Sequence, residues 1–304
     1  MAEDNSFEVI IIGGSYAGLS AAMALGRSRR KVLVIDSGTP CNRQTPHSHN
    51  FLTQDGNTPA EIAALSRDQV LKYASIQMLD DFAVKGQQKE DGFTIHTQSG
   101  KEFHAKKLIF ATGIKDIMPD IAGMAECWGI SVIHCPYCHG YEYRDQKTGI
   151  LANAERAFHL ASLVNNLTDE LSIITAGKAD FDHEQSATLQ RHNIKIEERK
   201  IIAIEHTNGF LQQVVLEDGS KLPFNAIYAG LDFEQQTDIP ASLGCELDEH
   251  GYIEVDQFQK TNIDGIFACG DNASFMRSIA NAVYRGNVAG AIVNMELSQS
   301  KFLS

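Results

Sequence analysis

The sequence predicts an α/β protein with two Rossmann-like (three-layer ββα) nucleotide-binding domains. Three features carry this expectation. An apolar strand near the N-terminus runs into a glycine-rich turn and a helix, a second strand–helix–strand unit opens near Thr148, and a late strand ends in Cys269-Gly270-Asp271 just ahead of a helix.

In chain order, Val9 to Ile12 form a short apolar run followed by the turn Gly13-Gly14-Ser15-Tyr16-Ala17-Gly18, a helical stretch from Leu19 to Arg27 and a strand from Lys31 to Ile35. This is a βαβ opening. A helical stretch follows near Pro59 to Ser75. Short alternating strands with turns at Glu90-Asp91-Gly92 and Ser99-Gly100 come next, and Lys107 to Phe110 then run into Ala111-Thr112-Gly113. The pattern reads as a nucleotide domain carrying a small antiparallel insert. The second unit has a strand at Thr148 to Leu151, a helix from about Ala154 to Asn165 and a strand at Leu171 to Ile174. Two further strands flank Glu217-Asp218-Gly219, and a helix from about Arg277 closes the chain.

Composition narrows the function. The 304 residues, 43% hydrophobic and 21% charged, suffice for two separate cores, so a disordered tail or a binding peptide is excluded. The formal net charge of -13, with 26 scattered Lys and Arg residues, would repel a phosphate backbone, so no nucleic-acid partner is expected. The run Val9 to Ile12 is too short for a signal or membrane segment, and the expectation is a cytoplasmic protein without a membrane partner.

A pyrophosphate needs backbone N–H donors at a helix start, approached by a chain free of obstructing Cβ atoms. Gly13, Gly14 and Gly18 provide such a turn, with Ser15 at the middle glycine position. Asp36, at the end of the second strand, stands where a carboxylate binds ribose hydroxyls.

Of the six cysteines, at 41, 127, 135, 138, 245 and 269, only Cys135 and Cys138 have an informative spacing. Zinc would call for a second CxxC or a His/Cys pair at ligand spacing. The neighbours His134 and His139 are too close in sequence to converge on one tetrahedral ion, so no metal is expected. Two cysteines at a helix start form a low-span disulfide, and the helix N-terminus favours the thiolate. The CPYC string also occurs in glutaredoxins, but there it follows the first strand, whereas here it lies past residue 130. His139 has an ordinary pKa of about 6.5, which suits removal of a thiol proton. A histidine that merely caps or packs the helix start is the alternative. His47 and His49 are loop residues, candidates either for a substrate pocket or for plain solvent exposure.

Taken together, IIGGSYAGLSAA, Asp36, Ala111-Thr112-Gly113, CPYCHGYE and GIFACGD resemble the low-molecular-weight thioredoxin reductase superfamily over nearly the whole chain. CPYCHGYE is closer to the thioredoxin reductase-like dithiol oxidases of the gliotoxin and holomycin type than to ordinary thioredoxin reductases, where an Asp follows the second Cys. The resemblance implies an FAD-binding domain in two pieces, 1–115 and 231–304, with a redox domain, 116–230, inserted in it. It implies a homodimer acting on a small-molecule dithiol or disulfide or on a thioredoxin-like protein. It assigns Gly13, Gly14, Ser15, Tyr16, Ala17 and Gly18 to the pyrophosphate turn, Asp36 with Ser37 to the adenosine ribose, and Arg43 and Asn50 to the flavin side. Ala111, Thr112 and Gly113 form the second turn of the cofactor domain. Gly270 and Asp271 face the ribityl chain, and Arg277, Ser278 and Ile279 stand at the isoalloxazine edge, where Ser278 departs from the family's Gln. Cys138 becomes the thiol that exchanges with flavin and Cys135 the one that exchanges with substrate.

The NADPH turn of the family falls on Ala152-Asn153-Ala154-Glu155-Arg156-Ala157, with alanines in place of both glycines and an acid where a pyrophosphate should lie. The clustered arginines that would hold a 2′-phosphate are replaced by Thr175-Ala176-Gly177-Lys178. The expected activity is therefore FAD-dependent dithiol/disulfide exchange through Cys135 and Cys138 without efficient use of NADPH. The alternatives are an NADPH-dependent thioredoxin reductase and a non-catalytic flavoprotein that senses redox state.

Overall fold

The computed structural model describes residues 5–304. The chain divides into two compact units. The first comprises residues 1–43, 59–115 and 234–304, and the second residues 44–58 and 116–233.

The first unit is built on a seven-stranded sheet. Strands Ile76–Asp80, Val32–Asp36, Ser6–Ile12 and Glu102–Phe110 lie side by side in parallel. The central strands Ser6–Ile12 and Val32–Asp36 are buried on both faces and therefore read as continuous runs of Val, Ile and Leu rather than alternating ones. Glu102–Phe110 is long enough to take two partners along one side. Its N-terminal half pairs antiparallel with Gly92–Thr97, which in turn pairs with Ala83–Lys89, and its C-terminal half pairs parallel with Ile266–Ala268. The parallel nucleotide layer and the antiparallel insert thus share one strand.

Helix Tyr16–Arg27 packs against the C-terminal helix Ile279–Leu303. Their backbones approach so closely that a Cβ on Gly286 would lie 2.0 Å from the Ala17 carbonyl oxygen, and one on Gly290 2.6 Å from that of Ala21. Ser20 Oγ donates to the Val283 carbonyl at 2.7 Å across the same seam. The C-terminal helix is also held by charge, since Glu296 accepts from Lys107 at 2.8 Å and pairs with Lys260.

The second unit has a five-stranded parallel sheet in the order Lys195–Glu197, Leu171–Ile174, Thr148–Leu151, Ala226–Ala229 and Val132–Ile133, with a three-stranded antiparallel sheet of Ile201–Thr207, Phe210–Leu216 and Lys221–Pro223. Helix Ala154–Val164 buries Ala157, Leu160, Ala161 and Val164 against Ile133, Ile150 and Ile173. The loop at 44–58, placed by the sequence reading in the first domain, clusters with this unit: Gln44 donates to the Ala125 carbonyl at 3.1 Å. Among the described residues, no helix is long and apolar enough to cross a membrane.

Candidate active site

The cofactor cradle forms where strand Ser6–Ile12 meets helix Tyr16–Arg27. Gly13 adopts φ +103°, and a Cβ on it would lie 2.2 Å from the Ala111 carbonyl oxygen. Gly14 donates its N–H to Asp36 Oδ1 at 3.0 Å, leaving the other carboxylate oxygen to the cleft. A Cβ on Gly18 would lie 1.8 Å from the Gly13 carbonyl oxygen. Only glycine at these positions lets the turn close against the second strand and the helix.

Gly13, Gly14, Ser15, Asp36, Ser37, Ala111 and Thr112 line one cleft of ≈ 320 Å³, and Tyr16, Ala17 and Gly18, the first turn of the helix, follow Ser15 without lining it. Ser15 is the N-cap of that helix, yet its side chain makes no cap bond and the first turn carries no acid, which suits a bound pyrophosphate. Buried beside Ala111 and Thr112, Asn272 donates through its amide nitrogen to the Phe110 carbonyl and to Thr112 Oγ1, while its amide oxygen has no partner. The glycine cradle, the open helix start and the unsatisfied amide oxygen fit FAD.

The other sequence-predicted cofactor residues are placed unevenly. Gly113 follows Thr112 with φ +66°, and Gly270 lies so close to the first helix that a Cβ on it would be 3.0 Å from the Ala17 Cβ. Asp271 is 3.9 Å from the guanidinium of Arg277. Ser278 is the N-cap of the C-terminal helix, accepting from the Asn281 N–H at 3.2 Å, so the serine that departs from the family pattern starts the helix at Ile279. Arg43 is exposed and donates to the Pro40 carbonyl at 3.3 Å, outside the cleft. Asn50 lies in the second unit with φ +58°. Residues the sequence reading did not single out, among them Arg67, Asp81, Phe82 and Thr237, also line it. They come from three separate stretches of chain and share no motif.

In the second unit Cys135 and Cys138 are joined as a disulfide, their Cα atoms 5.3 Å apart. Cys135 is the N-cap of the short helix Pro136–His139, and the Cys138 N–H points at its sulfur from 3.2 Å, a bond that favours a thiolate on Cys135 once the pair is reduced. Gly140 ends the helix where a Cβ would meet the Pro136 carbonyl oxygen at 2.3 Å and Leu167 at 2.4 Å, which accounts for the glycine of CPYCHGYE. Tyr137 is exposed beside the disulfide, and Tyr141 lies under the Arg144 guanidinium.

Burial, reinforced by the nearby charge of His49, pushes the His139 imidazole down to about 4. The sequence reading gave it an ordinary histidine pKa, because burial is invisible in a motif. His49 is brought into this group by a compact loop in which the Ser48 N–H bonds the Asn57 carbonyl and the Gly56 N–H returns to Ser48. Its Nε2 lies 3.5 Å from Glu142 Oε1 and its Nδ1 3.7 Å from Asp55 Oδ1. His47 is exposed and bonds the Gly56 carbonyl at 3.0 Å. The remaining cysteines differ in kind. Burial pushes Cys127 up to about 11 and Cys269 up to about 12, so both stay thiols. Among the described residues no cluster of His, Cys, Asp and Glu could hold a metal ion.

The second glycine-poor turn differs from the first at every point that matters for a phosphate. Helix Ala154–Val164 is capped by Asn153, whose Oδ1 accepts from the Ala154 N–H at 2.8 Å and from the Asp180 N–H at 3.0 Å. Asn153 Nδ2 donates to the Lys178 carbonyl at 2.9 Å, tying the following loop to the helix start. Ala154 holds φ +51° despite its Cβ. Glu155 occupies the first turn and accepts from Gln185 at 2.8 Å, and Arg156 is engaged by the Gly230 carbonyl and Asp232.

A family model described as pyridine nucleotide-disulphide oxidoreductase matches residues 7–286. The chain belongs to the pyridine nucleotide-disulphide oxidoreductase family. This oxidoreductase is 32% identical over 308 residues to thioredoxin reductase tcpT of Claviceps purpurea (strain 20.1), a match covering 98% of the chain and 96% of the relative. It superposes on the crystal structure of the oxidoreductase from Agrobacterium tumefaciens with TM-score 0.89 and 37% identity, over 96% and 98% of the two chains. With the crystal structure of HlmI the TM-score is 0.93 at 26% identity, over 100% and 96%. The oxidoreductase is a thioredoxin reductase-like flavin enzyme, with FAD as its cofactor.

Proposed function

We propose that this oxidoreductase oxidises a dithiol, a small molecule in preference to a thioredoxin-like protein, by cycling Cys135 and Cys138 between disulfide and dithiol, and that NADPH is a poor electron source for it. The observation that carries the reading is the contrast between its two glycine-turn sites. The first has an open helix start and a glycine cradle, whereas the second has its helix N-terminus capped by Asn153 and an acid in the first turn. A pyrophosphate at the second site would have to displace the Asn153 bonds and approach Glu155.

In the reaction, a substrate thiolate attacks the Cys135 sulfur and the Cys135–Cys138 bond breaks, leaving the electron pair on Cys138. A second substrate thiolate then attacks the substrate sulfur of the mixed disulfide and releases Cys135. The Cys138 N–H stabilises the thiolate left on Cys135, so Cys135 is a good leaving group in that step. When bound, FAD supplies the two-electron acceptor for the reduced pair. The cradle of Gly13, Gly14 and Gly18, with Asp36 and Asn272, would hold it in the first unit.

Anaerobic titration of the oxidised holoenzyme, with dithiothreitol in one series and NADPH in the other, tests the reading. Dithiothreitol is expected to bleach the flavin stoichiometrically, and NADPH slowly if at all. Fast, saturable bleaching at micromolar NADPH would restore an NADPH-dependent thioredoxin reductase as the better description. Failure of both reagents would favour a non-catalytic flavoprotein.

A further inference from the structure

The proposed reaction releases two protons for every disulfide made, and the group suggested by the motif is poorly suited to keep one. With its imidazole held down to about 4 by burial and the charge of His49, His139 is largely unprotonated at neutral pH. A second imidazole, on a different segment of chain, is near enough for its charge to act on His139. His49 is half-buried, and each of its ring nitrogens faces a carboxylate, Glu142 at 3.5 Å and Asp55 at 3.7 Å.

We propose that His49, held between Glu142 and Asp55, is the proton acceptor of the redox site, with His139 as the group through which the proton passes. This rests on the dithiol reading above.

Three features of the molecule support it. First, the placement is built. The Asn50 N–H donates to Asp55 Oδ1 at 2.8 Å, so the backbone that carries His49 also fixes one of its carboxylates. Glu142 belongs to the CPYCHGYE string, four residues after Cys138, and Gly140 allows the chain between them to turn tightly under Leu167. Second, the two imidazoles are within electrostatic reach of each other. A charge on His49 disfavours one on His139, while Glu142 and Asp55 offer the His49 ring nitrogens two carboxylates for which His139 has no counterpart among the described residues. Third, the other titratable groups facing Glu142 do not compete for the proton. Burial pushes the Tyr143 phenol up to about 12 and drives that of Tyr228 higher still, so both remain neutral phenols. His47 faces the Gly56 carbonyl, its ring centroid 6.4 Å from that of His49.

The chemistry balances. The first substrate sulfur bonds to Cys135 as the Cys135–Cys138 bond breaks, and the second bonds to the first as the mixed disulfide breaks. The substrate loses two electrons and the protein disulfide gains them. Of the two protons, the first moves from the attacking thiol through His139 to His49, and the second neutralises one of the two cysteine thiolates. Glu142 acts through His49 and is a positioning residue.

The test is anaerobic stopped-flow reduction of the flavin by dithiothreitol, from pH 6 to 9.5, in the wild-type holoenzyme and in the His49→Gln and Glu142→Gln variants. Alkylation of reduced Cys135 by iodoacetamide is followed over the same range as a readout that does not depend on turnover. At pH 6.5, where the reagent is almost wholly thiol, His49→Gln is expected to slow reduction by about 100-fold and Glu142→Gln by about 10-fold. Both rates should approach wild type at pH 9.5, where the reagent supplies its own thiolate. The Cys135 alkylation profile should shift to higher pH in both variants.

A purely structural role would lower the rate by the same factor at every pH. That result, or a wild-type rate in His49→Gln at pH 6.5, would overturn the proposal. Should His49→Gln lose flavin or secondary structure, Glu142→Gln decides alone, since its loss must also be rescued at high pH. A wild-type enzyme that dithiothreitol cannot reduce at any pH would instead sink the dithiol reading itself, and the proton route with it.

Discussion

Replacing Gly18 by Ala adds one carbon atom to the tightest approach in the cofactor cradle. The new Cβ would lie 1.8 Å from the Gly13 carbonyl oxygen, 3.0 Å from its carbonyl carbon and 3.4 Å from Ile11 Cγ2. A carbon and a carbonyl oxygen in contact stand roughly 3.2 Å apart, so either the turn or the start of helix Tyr16–Arg27 must move by more than an ångström. No flexible side chain can absorb the shift, because the obstructing atom is backbone. Overpacking of this kind costs about 1–3 kcal/mol, and the movement withdraws the N–H donors that meet the pyrophosphate. Loss of one or two charge-assisted hydrogen bonds, each of roughly 1.5–3 kcal/mol, lowers FAD affinity by about 10-fold to several hundredfold or more. Gly38 is the internal control. It lines the same cleft with φ +70° but has nothing within 4 Å of its would-be Cβ. Gly38→Ala should therefore cost only about 1 kcal/mol of backbone strain and leave the flavin in place. The assay is the ratio of flavin to protein absorbance after gel filtration, followed by FAD titration of the stripped protein. A Gly18→Ala protein with wild-type flavin content and affinity would show that this turn is not the pyrophosphate site.

Cys138→Ser is expected to abolish electron flow between dithiols and flavin, while Cys135→Ser leaves Cys138 free to perturb the flavin spectrum; full dithiol turnover by Cys135→Ser would reverse the two roles. For stability, the depressed pKa of His139 has a definite sign. The unfolded chain protonates this imidazole near its ordinary value of about 6.5 and the folded protein only near 4, so the unfolded state binds more protons between those values and stability falls as the pH drops through them. From pH 7 to pH 5 this one group removes about 2 kcal/mol, and urea titrations of His139→Gln should show a correspondingly smaller loss than wild type. An equal loss in both would place the imidazole in water. Finally, Glu296→Ala leaves Lys107, itself mostly buried, without its nearest carboxylate. It should destabilise the protein by about 1–3 kcal/mol in the same assay, and a change below a few tenths would mean the pair is solvated.

The cofactor half of this protein was legible because its glycines fall at a fixed, short spacing. That spacing can be read even though the atoms that forbid a Cβ come from distant parts of the chain for two of them, Ala111 for Gly13 and Asp36 for Gly14, and from Gly13 itself for Gly18. The redox pair was legible for the same reason, since two cysteines separated by Pro136 and Tyr137 leave their sulfurs no other geometry at a helix start. The departure of the second turn from the glycine pattern could be read from the alanines at 152 and 154. The sequence did not show that Asn153 caps the helix and ties down Lys178 and Asp180, because that bond joins two loops across a crossover.

What lay beyond the sequence was burial and long-range pairing. Nothing in CPYCHGYE reveals that His139 is desolvated, and Glu142 has no derivable role until His49 arrives from a loop far earlier in the chain. That loop contributes no regular strand or helix, so no periodicity announces where it packs, and it docks on the second unit rather than the first. The sequence by itself determined the fold class and the FAD cofactor, and it singled out the glycine turn and the cysteine pair, because these are residue types at fixed short spacings. Only the tertiary structure decided which imidazole faces carboxylates and which is partly buried, because the charge state of a histidine depends on every element packed around it.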